Sequence, residues 1–442
     1  MKRSALWIIL LVALVDLIGF GLIIPLQAVY ARRMGATGLT FGLLMGVYAA
    51  MQLVFNPLLG RWSDRVGRRR VLLLSLGGSV LSHGLLGVAD LAHSLPLLFL
   101  ARILDGITGA NVATAQAYIA DVTRPEERAK GMGMFGAAFG IGFVIGPAIG
   151  GVLMVLGRKV SGDAYGTSWP AFGAALITAT ACLLVLRKLP ESRPAGADER
   201  RRASGLSWRA LRDVVARPRL AELLVLVFFS MSALVLLEVT FVYLCAACLT
   251  VSEAGMSWLF AYIGVLMVIV QGGLVGRLVP RIGEATLATI GPFFTASGFL
   301  LLSAIPIAAA GGSAGGPSWA WILLFAGCVP MALGHGLTSP SVNAMISRQA
   351  GEHEQGATLG ISQSTNSLAR SIAPPIGGLL FDAGPSWPYW VGAGILVFVG
   401  LFAARIRHAQ TQAIAQTTGA RSTLAPGASS ADGLHAAPST TS

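Results

Sequence analysis

Long apolar runs, broken by short polar loops, fill most of the chain. A membrane-spanning helix takes about 20 mostly apolar residues. Twelve runs reach that length, at 6–29, 40–59, 71–89, 95–118, 131–155, 168–187, 221–245, 255–276, 286–308, 318–341, 355–380 and 387–405. They are called spans one to twelve. Gly and Pro recur inside them, and membrane helices tolerate both because neighbouring helices re-satisfy freed backbone groups. The pattern predicts an all-α membrane protein with twelve transmembrane helices.

The pattern also repeats. Gly60-Arg61-Trp62-Ser63-Asp64-Arg65-Val66-Gly67 reappears as Gly276-Arg277-Leu278-Val279-Pro280-Arg281-Ile282-Gly283, with Pro280 in place of the acid. Glu127 to Gly151 likewise matches Glu354 to Gly378, so Pro147 to Gly151 falls on Pro374 to Gly378. Two such pairs imply two similar halves. The expected organisation is two pseudo-symmetric six-helix bundles, 1–187 and 221–408, joined by a cytoplasmic linker at 188–220. A tail at 409–442, poor in large apolar side chains, is expected to be disordered.

Composition sharpens this picture. Of 442 residues, 54% are apolar and 12% charged, about half the charge of a soluble domain. A net charge of +12 would fit nucleic acid, but the positive residues sit in short loops between apolar runs. Most fall on one side. The other side holds Arg32, Arg33, Arg158 and Lys159, and Arg102 and Arg370 lie within spans. The positive-inside rule then places both termini in the cytoplasm. Met1-Lys2-Arg3 and the run after it read as a retained first helix. Trp208 to Val215 has the pattern of a lipid-surface helix. Cys245 and Cys248 form a lone CxxC without a partner pair, which fits small residues at a helix contact better than zinc. Neither a cofactor nor a metal is expected.

Charges within the bilayer are costly and each needs a reason. Asp16 lies near mid-membrane, and a carboxylate there can take up a proton in one conformation and release it in another. The plain alternative is a polar packing residue. On span four, Arg102, Asp105, Gly109, Ala113 and Gln116 share one helical face. Arg102 and Asp105 form either a static pair or a proton-sensitive one. Asn111 is on the opposite side of that face, where packing is the expected role. In the second half Glu238 and Arg370 are the intramembrane charges. Gln52, Gln116, Gln271, Gln363, Asn366 and Arg370 are candidate cavity residues, and Asp16, Arg102, Asp105 and Glu238 candidate proton carriers.

The loop at Gly60 to Arg70 reads as a cytoplasmic gate built on Gly60, Asp64, Arg65, Gly67, Arg68, Arg69 and Asp121. Asp64 is suited to cap the N-terminus of a second-half helix such as span eleven. Arg65 or Arg68 is suited to pair with Asp121. Gly142, Gly146, Pro147, Gly150 and Gly151 would let helices approach closely, at a bending seam between the halves or in ordinary packing.

Several stretches resemble one family. Gly60-x-x-x-Asp64-Arg65-x-Gly67-Arg68-Arg69 is similar to the signature loop of the major facilitator superfamily, and Arg102-x-x-x-Gly106-x-x-x-Ala110 resembles the fourth-helix motif of its proton-coupled members. Gly142-x-x-x-Gly146-Pro147-x-x-Gly150-Gly151 resembles the fifth-helix motif of its drug:proton antiporters. Asp16-x-x-Gly19-x-Gly21-x-x-x-Pro25, Tyr48 to Gln52, Gly106 to Ala110, Ala117 to Asp121 and Ser347-Arg348-Gln349 resemble tetracycline exporters. Those exporters carry an acid in helix three, a histidine in helix eight and an acid in helix nine. Here the positions are Ser82, Met267 and Thr295, so the resemblance stops short of tetracycline as the substrate and of the usual proton relay.

The resemblance implies a proton-coupled exporter of a small, partly apolar compound, its substrate held between the halves. No residue set in the chain suggests catalysis: it has no nucleotide loop, metal-ligand cluster or nucleophile–base pair. The expected partners are that small molecule, protons and the lipid of a cytoplasmic membrane, with no nucleic acid and no second copy of the chain. A proton-coupled or passive metabolite importer and a non-transporting membrane protein on the same scaffold are the alternatives.

Overall fold

A computed structural model describes residues 2–192, 216–309, 318–349 and 355–423. The amphipathic piece at 208–215 lies outside them. Spans one to three are Lys2–Arg33, Gly38–Val66 and Arg68–Leu91. Span four is two helices, Leu95–Thr108 and Asn111–Val122. Spans five to seven are Pro125–Gly166, Trp169–Lys188 and Pro218–Leu249. Span eight runs from Glu253 to Ile282 and loosens to a π-helical turn at Val270–Leu274. Spans nine to twelve are Glu284–Ser303, Ser318–Gln349, Gln355–Ala383 and Trp387–Thr423.

Eleven of these have the length and apolarity to cross a membrane. Span eleven, with 29 residues, has the length and is more polar. Four of its six hydroxyls find partners inside the helix: Ser364, Thr365, Ser367 and Ser371 each donate to the carbonyl four residues back. The last helix continues to Thr423, so 409–423 is helical where a disordered tail was expected. Ala and Gln predominate just past 408, and both are good helix formers.

The packing repeats as the sequence does. In the first half, span one packs on five and six, and span three on four and six. In the second, span seven packs on eleven and twelve, and span nine on ten and twelve. Across the halves, span two meets eleven and span five meets eight, which are equivalent pairs under the same correspondence. The repeated loops share a backbone conformation too. Gly67 has φ 105° and ψ 148°, and Gly283 has φ 79° and ψ 155°, a region a side chain enters only with strain.

The two ends of the molecule differ. Toward Asp382 one buried apolar cluster takes Leu26, Tyr30 and Phe41 from the first half with Phe241, Tyr243 and Tyr389 from the second. Toward Arg68 the buried residues divide. Leu10, Leu72 and Tyr118 belong to a first-half cluster, and Leu223, Ile346 and Ile406 to a second-half one. The halves are fused at the Asp382 end and have separate cores at the Arg68 end.

Candidate functional site

Span four is broken where the site lies. Thr108 ends one helix, and Gly109 (ψ 32°) and Ala110 (ψ 9°) leave helical geometry before Asn111 starts the next. The phase of a continuous helix is lost across this break. Asn111 therefore does not face away from Arg102, as the unbroken period predicts. It joins the charged cluster, while Gln116 is exposed.

Asn111 is the central link. Its amide nitrogen donates to Asp16 Oδ2 at 3.1 Å and to Ser79 Oγ at 3.1 Å. Ser79 Oγ donates to Asp105 Oδ1 at 3.4 Å. Arg102 Nη1 donates to Asp105 Oδ2 at 2.9 Å, as an ion pair one helical turn apart. Asp16, Ser79, Arg102, Asp105 and Asn111 are all buried. Spans one, three and four thus carry one hydrogen-bonded chain joining two carboxylates, with a fixed positive charge at its end. A buried charge costs several kcal/mol unless paired, and the Arg102–Asp105 contact meets that cost for both partners.

Arg102 also faces span two. Its guanidinium carbon sits 3.9 Å from the centre of the Tyr48 ring, a cation–π contact. Gln52 donates to Tyr48 Oη at 2.8 Å. Close approach at Gly106 and Gly109 brings this side of span two onto span four, since an added methyl group would strike the Tyr48 carbonyl or the Gln52 amide. Arg102 Nε has no hydrogen-bond partner among the described residues.

From the second half, Arg370 pairs with Glu238 at 3.5 Å between spans eleven and seven. Ser371, beside Arg370, touches span two at Gly46, half a turn from Tyr48. Asn366 is half-buried, and Gln363 and Gln271 are exposed, Gln271 within the π-helical turn. The structure does not gather these three into the polar chain. Ser82 donates to the Ala101 carbonyl and Thr295 to that of Gly291, so both serve helix packing. Met267 is half-buried among apolar neighbours of span eight.

The loop after span two staples the first half. Glu191, just past span six, accepts from the backbone amides of Arg68 at 2.8 Å and Arg69 at 3.1 Å, capping span three at its positive end. Gly67, at positive φ, makes room for that carboxylate. Arg68 pairs with Asp64 at 2.6 Å and Asp121 at 3.1 Å, and it donates to Ser63 Oγ. Arg69 donates to the carbonyls of Val185 and Leu186. Arg65 is exposed. Of the two arginines suited to Asp121, Arg68 makes the contact. Glu191 was not among the expected gate residues; an acid following span six beside an arginine-rich loop was its signal.

The antiporter-type glycines divide. Gly142, Gly146 and Gly150 face span one at Leu17, Ile18 and Leu22, so this close seam lies within the first half. Gly151 alone turns to span eight, at Ser257 and Trp258. Spacings of four put the first three on one face, and the next residue is rotated by about 100°. Pro147 is buried in the same helix.

At the Asp382 end, polar contacts join the halves. Asp382 accepts from the amides of Gly38 at 2.7 Å and Leu39 at 2.8 Å, and Tyr243 Oη donates to the Ala36 carbonyl. Glu253 contacts Arg158 and lies 3.9 Å from Arg33, which also pairs with buried Asp90 at 3.1 Å. Sequence reading missed Asp90, Glu253 and Asp382. Their signal was faint: acids near span ends, on the side with few positive residues.

Comparison with known proteins agrees with this architecture. A sequence profile described as Major Facilitator Superfamily matches residues 9–329 and 299–435. The chain is 32% identical over 382 residues to a tetracycline resistance protein, class D, of Salmonella ordonez, covering 85% of this chain and 89% of that one. It is 28% identical over 406 residues to multidrug resistance protein 2 of Bacillus subtilis (strain 168), covering 90% and 94%. Among solved structures, the nucleoside transporter NupG superposes with a TM-score of 0.71 at 11% identity, over 91% of this chain and 99% of that one, a likeness of fold.

Proposed function

The chain belongs to the Major Facilitator Superfamily as a multi-pass membrane transporter, not an enzyme, and on that premise we propose that it exports a small, partly apolar compound in exchange for protons. The observation that carries this reading is the buried chain from Asp16 through Asn111, Ser79 and Asp105 to Arg102. Two carboxylates linked by neutral donors hold an exchangeable proton at mid-membrane. Arg102 balances the charge of Asp105 beside it.

By the positive-inside rule, the Arg68 end is cytoplasmic. The fused core and the Asp382 contacts close the outer side, so this conformation loads from the cytoplasm. Compound enters between Tyr48, Gln52 and Arg102 on one side and Arg370 on the other. In exchange, Asp16 gives up its proton inward. Opening the outer end breaks the Asp382 and Glu253 contacts. Closing the inner end brings the second half to the Asp64–Arg69 loop, whose ion pairs then bias the two-state equilibrium. The relatives' names point to drug-like compounds. Ser82, Met267 and Thr295 favour one other than tetracycline.

The test uses inside-out vesicles with an acid interior and a fluorescent pH probe. A panel of compounds, tetracycline included, is added in turn. Release of protons that depends on a compound, and is lost in Asp16→Asn, is the expected result. No release with any compound from well-inserted protein would reject proton-coupled export.

A further inference from the structure

Below the polar chain, toward the Arg68 end, three buried polar atoms have no hydrogen-bond partner among the described residues: Ser75 Oγ, Asn111 Oδ1 and Thr114 Oγ1. Ser75 is 0% exposed and Thr114 2%. An unsatisfied polar atom at such depth costs about 1–3 kcal/mol, and native structures relieve it with ordered water. A small cavity of about 10 Å³, close to the space for one water, adjoins Asn111 and Asp16, and its lining residues Leu76 and Ala115 are the chain neighbours of Ser75 and Thr114. Its walls include Asp16, Asn111, Leu72, Leu76, Ala115 and Phe135.

These atoms lie along one line. Spans three and four run antiparallel and are pinned at two points. Asn111 bonds Ser79 at the deep end, and Asp121 pairs with Arg68 at the surface end. On span three, residues 68, 72, 75 and 79 share one face; on span four, 111, 114, 118 and 121 do. Between the pins, Ser75 is therefore set across from Thr114, with Tyr118 beyond. Tyr118 Oη donates to the Pro190 carbonyl at the rim. Asn111 to Tyr118 covers roughly 10 Å of helix.

We infer that Ser75 and Thr114 line a water-assisted proton route from Asp16 to the Asp121–Arg68 rim. The inference rests on the proton-coupled reading above. The transfer conserves protons: Asp16 returns to carboxylate, its proton passes to water held by Asn111, Ser75 and Thr114, and an equivalent proton leaves to bulk water at the rim. Leu72, Leu76, Ala115 and Phe135 wall the cavity at the Asp16 end of the route and hold it to one water there, which limits leak.

The test compares two readouts on one protein. In the Ser75→Ala/Thr114→Val double variant, compound-driven proton release from vesicles is expected to slow by about tenfold or more. Counterflow of labelled compound at equal pH, which needs no net proton movement, is expected to persist. Thr114→Ser, which keeps the hydroxyl, should release protons normally. Normal release in the double variant overturns the route. So does an equal loss of release and counterflow, which would make the hydroxyls structural. If the double variant fails to insert, Thr114→Val against Thr114→Ser supplies the same comparison. Absence of release in the unaltered protein would instead reject proton-coupled export.

Discussion

The carboxylate of Asp382 holds the backbone amide of Gly38 at 2.7 Å, across 344 residues and across the two halves. It caps the positive end of span two from the far end of span eleven. Such a cap between the halves contributes about 1.5–3 kcal/mol, roughly ten- to a hundredfold in population. Asp382→Ala should therefore open this end more often. The check is a cysteine replacing buried Leu44, in a background lacking Cys182, Cys245, Cys248 and Cys328, probed with a membrane-impermeant thiol reagent. Faster labelling is expected with Asp382→Ala; an unchanged rate would show that the cap does not set the balance.

Gly42 and Gly378 sit where spans two and eleven touch backbone to backbone, against the Pro374 and Gly38 carbonyls. Valine at either should bar closure of this end while the helices still insert. Transport should fall by about tenfold or more, with the Leu44 cysteine reactive at all times. Full transport in Gly42→Val would mean that this contact is not needed in the cycle.

Asp16→Asn should abolish compound-driven proton release and leave counterflow, because the amide keeps the shape and cannot titrate. Asn111→Leu cuts the link to Ser79 and Asp105 without touching a charge, and should slow release by about tenfold. Equal release in Asn111→Leu and the unaltered protein would separate the two carboxylates functionally.

Arg102→Lys keeps the charge and loses the flat guanidinium that lies on Tyr48 while it holds Asp105. Release should drop by about tenfold, with a similar drop in Tyr48→Leu and little further loss in the double variant. Additive losses would show that the two residues act separately.

Much of the architecture was legible in the chain. Twelve apolar runs gave the spans, and the Gly60 and Gly276 repeats anticipated the matched Gly67 and Gly283 conformations. Asp16, Arg102 and Asp105 were recognisable because charge inside a membrane is rare. Their linker was not. A regular helical period carried through Gly109 and Ala110 turns Asn111 away from Arg102, and the helix breaks at those two residues. Glu191 and Asp382 escaped notice because each acts on backbone amides distant in sequence, and a carboxylate near a span end has no pattern of its own. The seam at Gly142 and Gly146 shows the same limit. Spacing shows that a helix can approach closely, and only folding decides that the neighbour is span one.

The hydrogen-bonded chain that links Asp16 to Arg102 draws every member from spans one, three and four, all in the first half. The motor and the cargo hold are thus unequally shared between two copies of one ancestral design. On the proposed function, a chimaera that kept the first half and borrowed its second from a relative would inherit the ion coupling along with a new palette of passengers.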